Sequence, residues 1–165
     1  MKKIIYLISA FILLNFIYGC AGYKPLYTTN LQFEITDYSL KTNTKLERKI
    51  YSKLYNLSKS SKKENKKNIK KITITIDIKK IKSSTAKDST GKILEYKIAI
   101  LGNIQIKNYL TKDKILNYNI SQSVSYQIQD QYSETIKLEN KNIENLVNKI
   151  YQNLLIKMSE IMSAT

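Results

Sequence analysis

The chain has 165 residues, a formal charge of +15, no histidine and a single cysteine. Without histidine it lacks the side chain most often used as a general base and as a metal ligand. One cysteine cannot form a disulfide within the chain. The sequence also lacks paired carboxylates, metal-ligand spacing and a glycine-rich phosphate loop, so it favours a binding protein without a cofactor or a bound metal over an enzyme. A hydrolase with a serine activated by lysine stays open as an alternative.

The first 19 residues have the pattern of a secretory signal peptide. Lys2 and Lys3 give a positive start, and Ile4 to Ile17 is apolar except for three residues, Tyr6, Ser9 and Asn15. This apolar run of about 14 residues is shorter than the roughly 20 that a membrane-spanning helix needs. We therefore predict that residues 1–19 are cleaved.

The junction after this leader resembles the lipobox of bacterial lipoproteins, because Gly19 is followed directly by Cys20. The resemblance implies that Cys20 becomes the mature N-terminus and carries a covalent lipid on its sulfur. Tyr18 stands where that motif usually has a small side chain. Two or three acyl chains anchor a protein firmly, whereas one holds it only weakly. The alternative is an ordinary cleavage site beside an incidental cysteine.

The predicted mature chain is short enough for one domain and strongly basic. Loss of residues 1–19 leaves 146 residues and removes two of the fifteen net charges, so that +13 remains. An exported protein does not meet nucleic acid, and the expected partners are anionic lipid, a phosphorylated glycolipid or an acidic protein surface. Lysine, asparagine and isoleucine are abundant throughout, so the positive charge can also reflect a general compositional bias.

The first half of the mature chain predicts a strand, a helix and a basic linker. Leu31 to Leu40 alternates as a short strand, and Thr44-Lys45-Leu46-Glu47 has the form of a capping box. Apolar residues at helical spacing then predict a helix over 45–57. The lysine-rich segment Ser58–Lys71 is expected to be a solvated linker or, alternatively, a contact with anionic lipid.

The second half predicts three strands and a long helix. Isoleucines alternate from Ile72 to Ile78, and a change of parity at 79–81 suggests a bulge or a strand end. A basic hairpin loop is expected over 82–92, followed by strands over 94–110 and 116–128. Gly102 suggests a bend or a close approach by another backbone. The last helix is expected to begin at 140–142 and to pack on the sheet, with a membrane-surface role as the alternative.

One face of the fourth strand is polar but carries no charge. Its residues are Asn117, Asn119, Ser121, Ser123, Ser125 and Gln127. An ordinary solvent face of such a chain should have collected lysines. Uncharged hydrogen-bonding side chains suit a wet but enclosed surface, such as the polar lumen of an outer-membrane barrel. An exposed face that happens to lack charge is the alternative.

The order of elements predicts an α+β fold in which two helices pack on one face of a four-stranded mixed β-sheet, over residues 31–165. Residues 20–30 are then a lipidated tether. Its opening, Cys20-Ala21-Gly22-Tyr23-Lys24-Pro25-Leu26-Tyr27, resembles the start of the lipopolysaccharide-assembly lipoprotein family LptE. LptE-like proteins share the predicted order of elements.

The resemblance implies an outer-membrane lipoprotein on the periplasmic face. Such a protein plugs and helps to assemble the LptD β-barrel and assists lipopolysaccharide transport to the cell surface. By location it implies that Lys82, Lys87 and Lys92 contact lipopolysaccharide, with lysine acting as a point charge on phosphate. The uncharged row of the fourth strand would contact the barrel. The alternative function is that of an auxiliary lipoprotein of another envelope lipid-transport complex.

Overall fold

The computed structural model describes residues 31–64 and 69–163. The predicted leader, the tether and Cys20 lie outside the described residues. The elements follow the predicted order: β1 Phe33–Leu40, α1 Lys45–Glu64, β2 Lys70–Lys87, β3 Ile93–Asn108, β4 Lys114–Gln127 and α2 Tyr132–Ser163. The four strands form one sheet in the order β1-β2-β3-β4. The prediction of an α+β fold with a mixed sheet is confirmed, since β1 pairs parallel to β2 and the other pairs are antiparallel.

Isoleucine alternation produces the core between the sheet and the helices. On β2 and β3 the register places Ile74 opposite Ile106 and Ile76 opposite Ile104, and all four side chains are fully buried. Both helices contribute to the same cluster, α1 through Ile50 and Leu54, and α2 mainly through Val147, Ile150 and Leu154. Each buried isoleucine or leucine contributes about 1.5–3 kcal/mol of apolar burial.

Gly102 lies where two strands approach each other closely. It is opposite Ile78 on β2 and has a φ of 154°. A Cβ at this position would lie 2.0 Å from the carbonyl oxygen of Asp77 and 2.8 Å from the Cα of Ile78. The predicted close approach of another backbone is therefore confirmed.

The capping box at the start of α1 forms as predicted. The N–H of Glu47 donates to the Thr44 hydroxyl at 3.3 Å, and the N–H of Thr44 donates to the Glu47 carboxylate at 3.3 Å. The same carboxylate accepts the N–H of Thr42 and, at 3.1 Å, that of Ile78 in β2. Glu47 is fully buried and thus joins the helix start to the sheet beyond the end of β1.

The prediction that α1 ends at Leu57 is wrong, because the helix continues to Glu64. Ser58 is buried, and its hydroxyl accepts the N–H of Ile35 in β1 at 3.2 Å. This hydrogen bond holds α1 against β1 at a point past Leu57, the last leucine of the helix. The lysine-rich segment therefore belongs to α1 as far as Glu64 and to β2 from Lys70.

Two further boundaries differ from the prediction. The β2–β3 register runs unbroken through 79–81 and shifts only between Ser84 and Lys87, so the predicted bulge is misplaced and the hairpin loop is shorter. Ile81 breaks the parity simply because it is 42% exposed on the other face. The last helix begins at Tyr132 instead of 140–142, because the carbonyl of Gln131 accepts the N–H groups of Glu134 and Thr135.

Candidate functional site

The six predicted barrel-contact residues of β4 lie in one exposed row on the sheet face opposite the helices. The row consists of Asn117, Asn119, Ser121, Ser123, Ser125 and Gln127. Alternation dictates this placement, since the residues that alternate with the row include the buried Leu116, Ile120 and Tyr126. Their partners on β3 are Gln105, Asn103, Leu101, Ala99, Lys97 and Glu95, in the same order.

The uncharged surface extends across β3 and onto β2. Leu101, Asn103 and Gln105 are half-buried, as are Thr73 and Thr75 on β2. We call the surface made by these residues and the β4 row the uncharged face. Charged residues border it on three sides: Asp77 and Lys79 of β2 lie opposite Asn103 and Leu101, Glu95 and Lys97 lie towards the β2–β3 hairpin, and Lys107 lies at the other end. This strongly basic chain therefore has no lysine in the β4 row or at its β3 partners from Ala99 to Gln105.

Hydrogen bonds organise the asparagines of the uncharged face. The Asn103 amide donates to the Oδ1 atoms of Asn117 at 2.6 Å and of Asn119 at 2.7 Å. The Thr73 hydroxyl is buried and has no hydrogen-bond partner among the described residues. The face thus carries ordered amide groups and one unsatisfied hydroxyl, and Leu101 and Ala99 lie next to Asn103 on the side towards the hairpin.

The β2–β3 hairpin ends in a tight loop that carries two of the three predicted lysines. Lys87 closes β2, Lys92 precedes β3, and both are exposed. The Asp88 carboxylate accepts the Thr90 hydroxyl at 2.7 Å, the Thr90 N–H at 2.9 Å and the Lys92 N–H at 3.0 Å. These hydrogen bonds, that of the Thr90 hydroxyl most of all, lower the pKa of Asp88. An ordered acidic group, part of the turn that the sequence Asp88-Ser89-Thr90-Gly91 predicts, therefore lies between the two lysines.

Lys82, the third predicted lysine, does not belong to the hairpin tip. It lies within β2 opposite Ile98, on the helix face of the sheet. Its Nζ is 2.6 Å from Oε2 of Glu139 and 4.1 Å from the centroid of the Tyr96 ring. The predicted location at the tip is wrong, and its role in lipopolysaccharide contact stays a prediction.

Glu139 on α2 is the centre of this ionic cluster. The hydroxyl of Tyr126 donates to Glu139 Oε2 at 2.8 Å, and Lys80 lies 3.4 Å from the other oxygen. Burial alone would raise the pKa of Glu139, but the hydrogen bonds from Lys82, Tyr126 and Lys80 outweigh it and hold the pKa below the ordinary value. The hydrogen bond to Glu139 in turn raises the pKa of Lys82. The cluster therefore links α2 to the C-terminal parts of β2 and β4, through Lys80 and Lys82 on β2 and Tyr126 on β4.

A row of three tyrosines lies on β1 and α1, at the sheet edge opposite β4. Tyr38 of β1 stacks on Tyr51 of α1 with ring centroids 4.1 Å apart, and Tyr51 stacks on Tyr55 at 5.7 Å. The ammonium of Lys59 lies 4.6 Å from the Tyr55 ring. The spacing of residues 51, 55 and 59 by one helical turn is a sequence signal for this row, but nothing in the sequence indicates the stacking of Tyr38.

The described ranges, 31–64 and 69–163, contain no group of acidic or metal-binding side chains that could hold a metal ion. Neither helix within them is long and apolar enough to cross a membrane.

No protein-family model and no curated protein sequence matches this chain. Solved structures do match it in fold. The solution NMR structure of an uncharacterized lipoprotein B from Nitrosomonas europaea is similar with a TM-score of 0.62 and 14% identity, over 87% of this chain and 92% of that one. The crystal structure of a minor lipoprotein from Acinetobacter baumannii is similar with a TM-score of 0.53 and 14% identity, over 75% and 89% of the two chains. The chain therefore shares its fold with solved bacterial lipoproteins.

Proposed function

We propose that this protein is a lipoprotein of the outer membrane, anchored through Cys20, that plugs and helps to assemble the LptD barrel. In that position it assists the passage of lipopolysaccharide to the cell surface. The observation that carries the proposal is the uncharged face, in a chain whose formal charge is +15. The lipobox-like junction and the fold shared with lipoproteins support the lipid anchor.

The chemistry of the uncharged face suits the inside of a barrel. The lumen of an outer-membrane barrel is polar, and its side chains need hydrogen-bonding partners when a plug displaces water. Serine hydroxyls and asparagine amides both donate and accept, so they can pair with whichever polar group lies opposite. Lysine in the same place would lose its hydration and would need a matched carboxylate. Enclosure of the β4 row would therefore favour the absence of lysine from it.

The hairpin tip supplies the positive charge that a phosphorylated glycolipid needs. Lys87 and Lys92 are exposed there, and neither is held by an ion pair among the described residues. The Lys82 ammonium is already paired with Glu139, so we place the lipopolysaccharide contact on Lys87 and Lys92. The phosphates of lipid A are the groups that such lysines would meet.

Photocrosslinking in intact cells tests the barrel contact. A photoreactive residue at Asn119 or at Ser123 should form a crosslink to the LptD barrel, whereas the same residue at the exposed Gln152 of α2 serves as the control and should not. Crosslinks from Asn119 and Ser123 to a different envelope protein would favour the alternative, an auxiliary lipoprotein of another lipid-transport complex. Equal crosslinking from all three positions would contradict the proposed orientation.

A further inference from the structure

The two edges of the sheet differ in how their backbone groups are protected. An edge strand presents unpaired N–H and C=O groups that can pair with another chain, and proteins usually block such edges with charges, bulges or coverage by other elements. At the β1 edge all three devices are present. The strand is bulged between Ile35 and Asp37, the N–H of Ile35 donates to Ser58 of α1, and the N–H of Tyr38 donates to the Asp37 carboxylate at 2.8 Å.

The β4 edge has none of these devices in its central part. β4 is 14 residues long, its register with β3 is unbroken from Glu95–Gln127 to Ile106–Leu116, and it contains no proline. No charged residue occurs from Ile115 to Gln129. In a chain with 28 lysines and arginines, this is an unusually long uncharged edge.

The direction of the free backbone groups follows from one hydrogen bond. The N–H of Ile128 donates to the carbonyl of Leu94 at 2.9 Å, one step beyond the Glu95–Gln127 pair. In an antiparallel ladder, residues alternate between those whose N–H and C=O face the neighbouring strand and those whose groups face away. The even-numbered residues of β4 therefore bond to β3. The outward groups belong to Asn117, Asn119, Ser121, Ser123 and Ser125.

The same residues thus provide both the side chains of the uncharged face and the free backbone groups of the edge. No other described residue donates to or accepts from the outward backbone groups of Asn119, Ser121, Ser123 or Ser125. A second copy of this chain is disfavoured as the occupant, because each mature copy would carry a net charge of +13. A closed barrel offers no free strand edge either, since closure pairs every strand.

We infer that the β4 edge binds an extended segment of the barrel protein by strand addition, before that segment is paired within the closed barrel. The inference rests on the proposed function for the identity of the partner, and it assigns the assembly role to a particular strand. Backbone hydrogen bonds to the five outward-facing residues supply the affinity. Alternate side chains of the added strand lie beside the serines and asparagines of the uncharged face.

Amide hydrogen exchange measured by NMR on the full mature chain tests this pairing. The probes are synthetic peptides that cover each strand of the LptD barrel. At least one peptide should slow exchange at Asn119, Ser121, Ser123 and Ser125 by about tenfold or more, while the amides of Ile120, Gln122 and Val124 are already protected in the free protein. If every peptide leaves the four outward amides unchanged, strand addition is wrong.

A proline variant with a matched control distinguishes binding through the backbone N–H group from binding through the side chain. Proline is tolerated on an edge strand where its missing N–H would face outward, so Ser123→Pro should fold and keep the protected amides of β4. It should weaken peptide binding about tenfold or more, whereas Ser123→Ala should bind like the original chain. Equal binding by both variants contradicts the inference, and the exchange measurement decides the matter if Ser123→Pro does not fold.

The two failures can be told apart. If no peptide protects the β4 edge but Asn119 and Ser123 still crosslink to the barrel in cells, the strand-addition inference fails and the proposed function stands. If crosslinks to the barrel are absent, the proposed function fails, whatever the peptides do. Protection of the outward amides by a barrel peptide would in that case still establish the edge as a strand-binding site.

Discussion

At the scale of single residues, Glu47 joins three segments of the fold through one carboxylate. Its oxygens accept N–H groups from Thr42 and Thr44 before α1 and from Ile78 in β2. The last pair between β1 and β2 is Leu40 with Ile76, so β1 offers no carbonyl group to the N–H of Ile78. The carboxylate takes the place of the missing strand and satisfies a buried donor that would otherwise lack a partner.

We expect Glu47→Gln to lower the free energy of unfolding by about 2–3 kcal/mol, because a buried amide would present N–H groups to N–H donors. Glu134→Gln is the matched control, since Glu134 is an exposed glutamate in the first turn of α2. That variant should change stability by less than about 0.5 kcal/mol. Urea titrations of both variants measure the difference, and equal losses would show that the Ile78 contact is unimportant.

The sequence predicts part of the role of Glu47 and misses the rest. The Thr44–Glu47 spacing identifies the capping box because that motif is local and lies within four residues. The hydrogen bond from Ile78 joins residues 31 positions apart. It depends on where β1 ends relative to β2, which local spacing cannot indicate.

At the scale of elements, the Glu139 cluster fastens α2 to the sheet and should make stability depend on pH. Glu139→Gln should lower the free energy of unfolding by about 2 kcal/mol at pH 7, because Lys82 and Tyr126 would lose a charged acceptor. The folded pKa of Glu139 lies below the ordinary value. Its contribution is therefore complete above the unfolded pKa of about 4.3 and is lost as the pH falls through the folded pKa.

Urea titrations at pH 7 and near pH 3 measure this dependence. The difference between the original chain and Glu139→Gln should shrink at the lower pH. Glu160→Gln is the control, since Glu160 forms an exposed ion pair with Lys157 and should contribute little at either pH. A difference of the same size at both pH values would contradict the assigned role of the carboxylate.

The hairpin tip gives a second prediction at this scale. The double variant Lys87→Gln/Lys92→Gln should weaken binding of lipopolysaccharide by roughly three- to tenfold, because two point charges near phosphate are removed. The control removes the same charge elsewhere, through Lys141→Gln/Lys149→Gln on the exposed side of α2. Binding to immobilised lipopolysaccharide measures both, and equal weakening would indicate a general charge effect.

Strand patterns were predictable at this scale, whereas strand and helix ends were not. The alternation of isoleucine, tyrosine and valine fixes which face of β3 and β4 is buried, because the side-chain period of a strand is two. The continuation of β2 past Ile81 could not be predicted from the same pattern. There the side chains on the side of the sheet that faces the helices change from isoleucine to lysine. Lys80 and Lys82 both form ion pairs with Glu139, which is distant in sequence.

At the scale of the whole molecule, the proposed function combines a lipid anchor, a basic hairpin tip and an uncharged sheet face. The shared, exposed placement of the uncharged β4 row was predictable from the sequence, because it depends only on strand parity. The exposed edge of β4 was not, since the strand order decides which strand lies at the margin of the sheet. Long-range pairing of this kind leaves little local signal.

The lipid anchor predicts a specific mature N-terminus. Mass spectrometry of the protein from a native membrane fraction should show that the chain begins at Cys20 and carries acyl groups. Cys20→Ala should release it from the membrane, because two or three acyl chains supply the firm attachment. An unacylated N-terminus, or an uncut precursor, would show that the junction at Gly19–Cys20 is not processed as a lipobox.

Affinity purification from the outer membrane, followed by the intact mass of the complex, tests the proposed function most directly. With a C-terminal tag, we expect a one-to-one complex with the LptD barrel. The Cys20→Ala variant should recover less of that complex. Recovery of the tagged protein without a barrel, or with components of a different lipid-transport complex, would contradict the account.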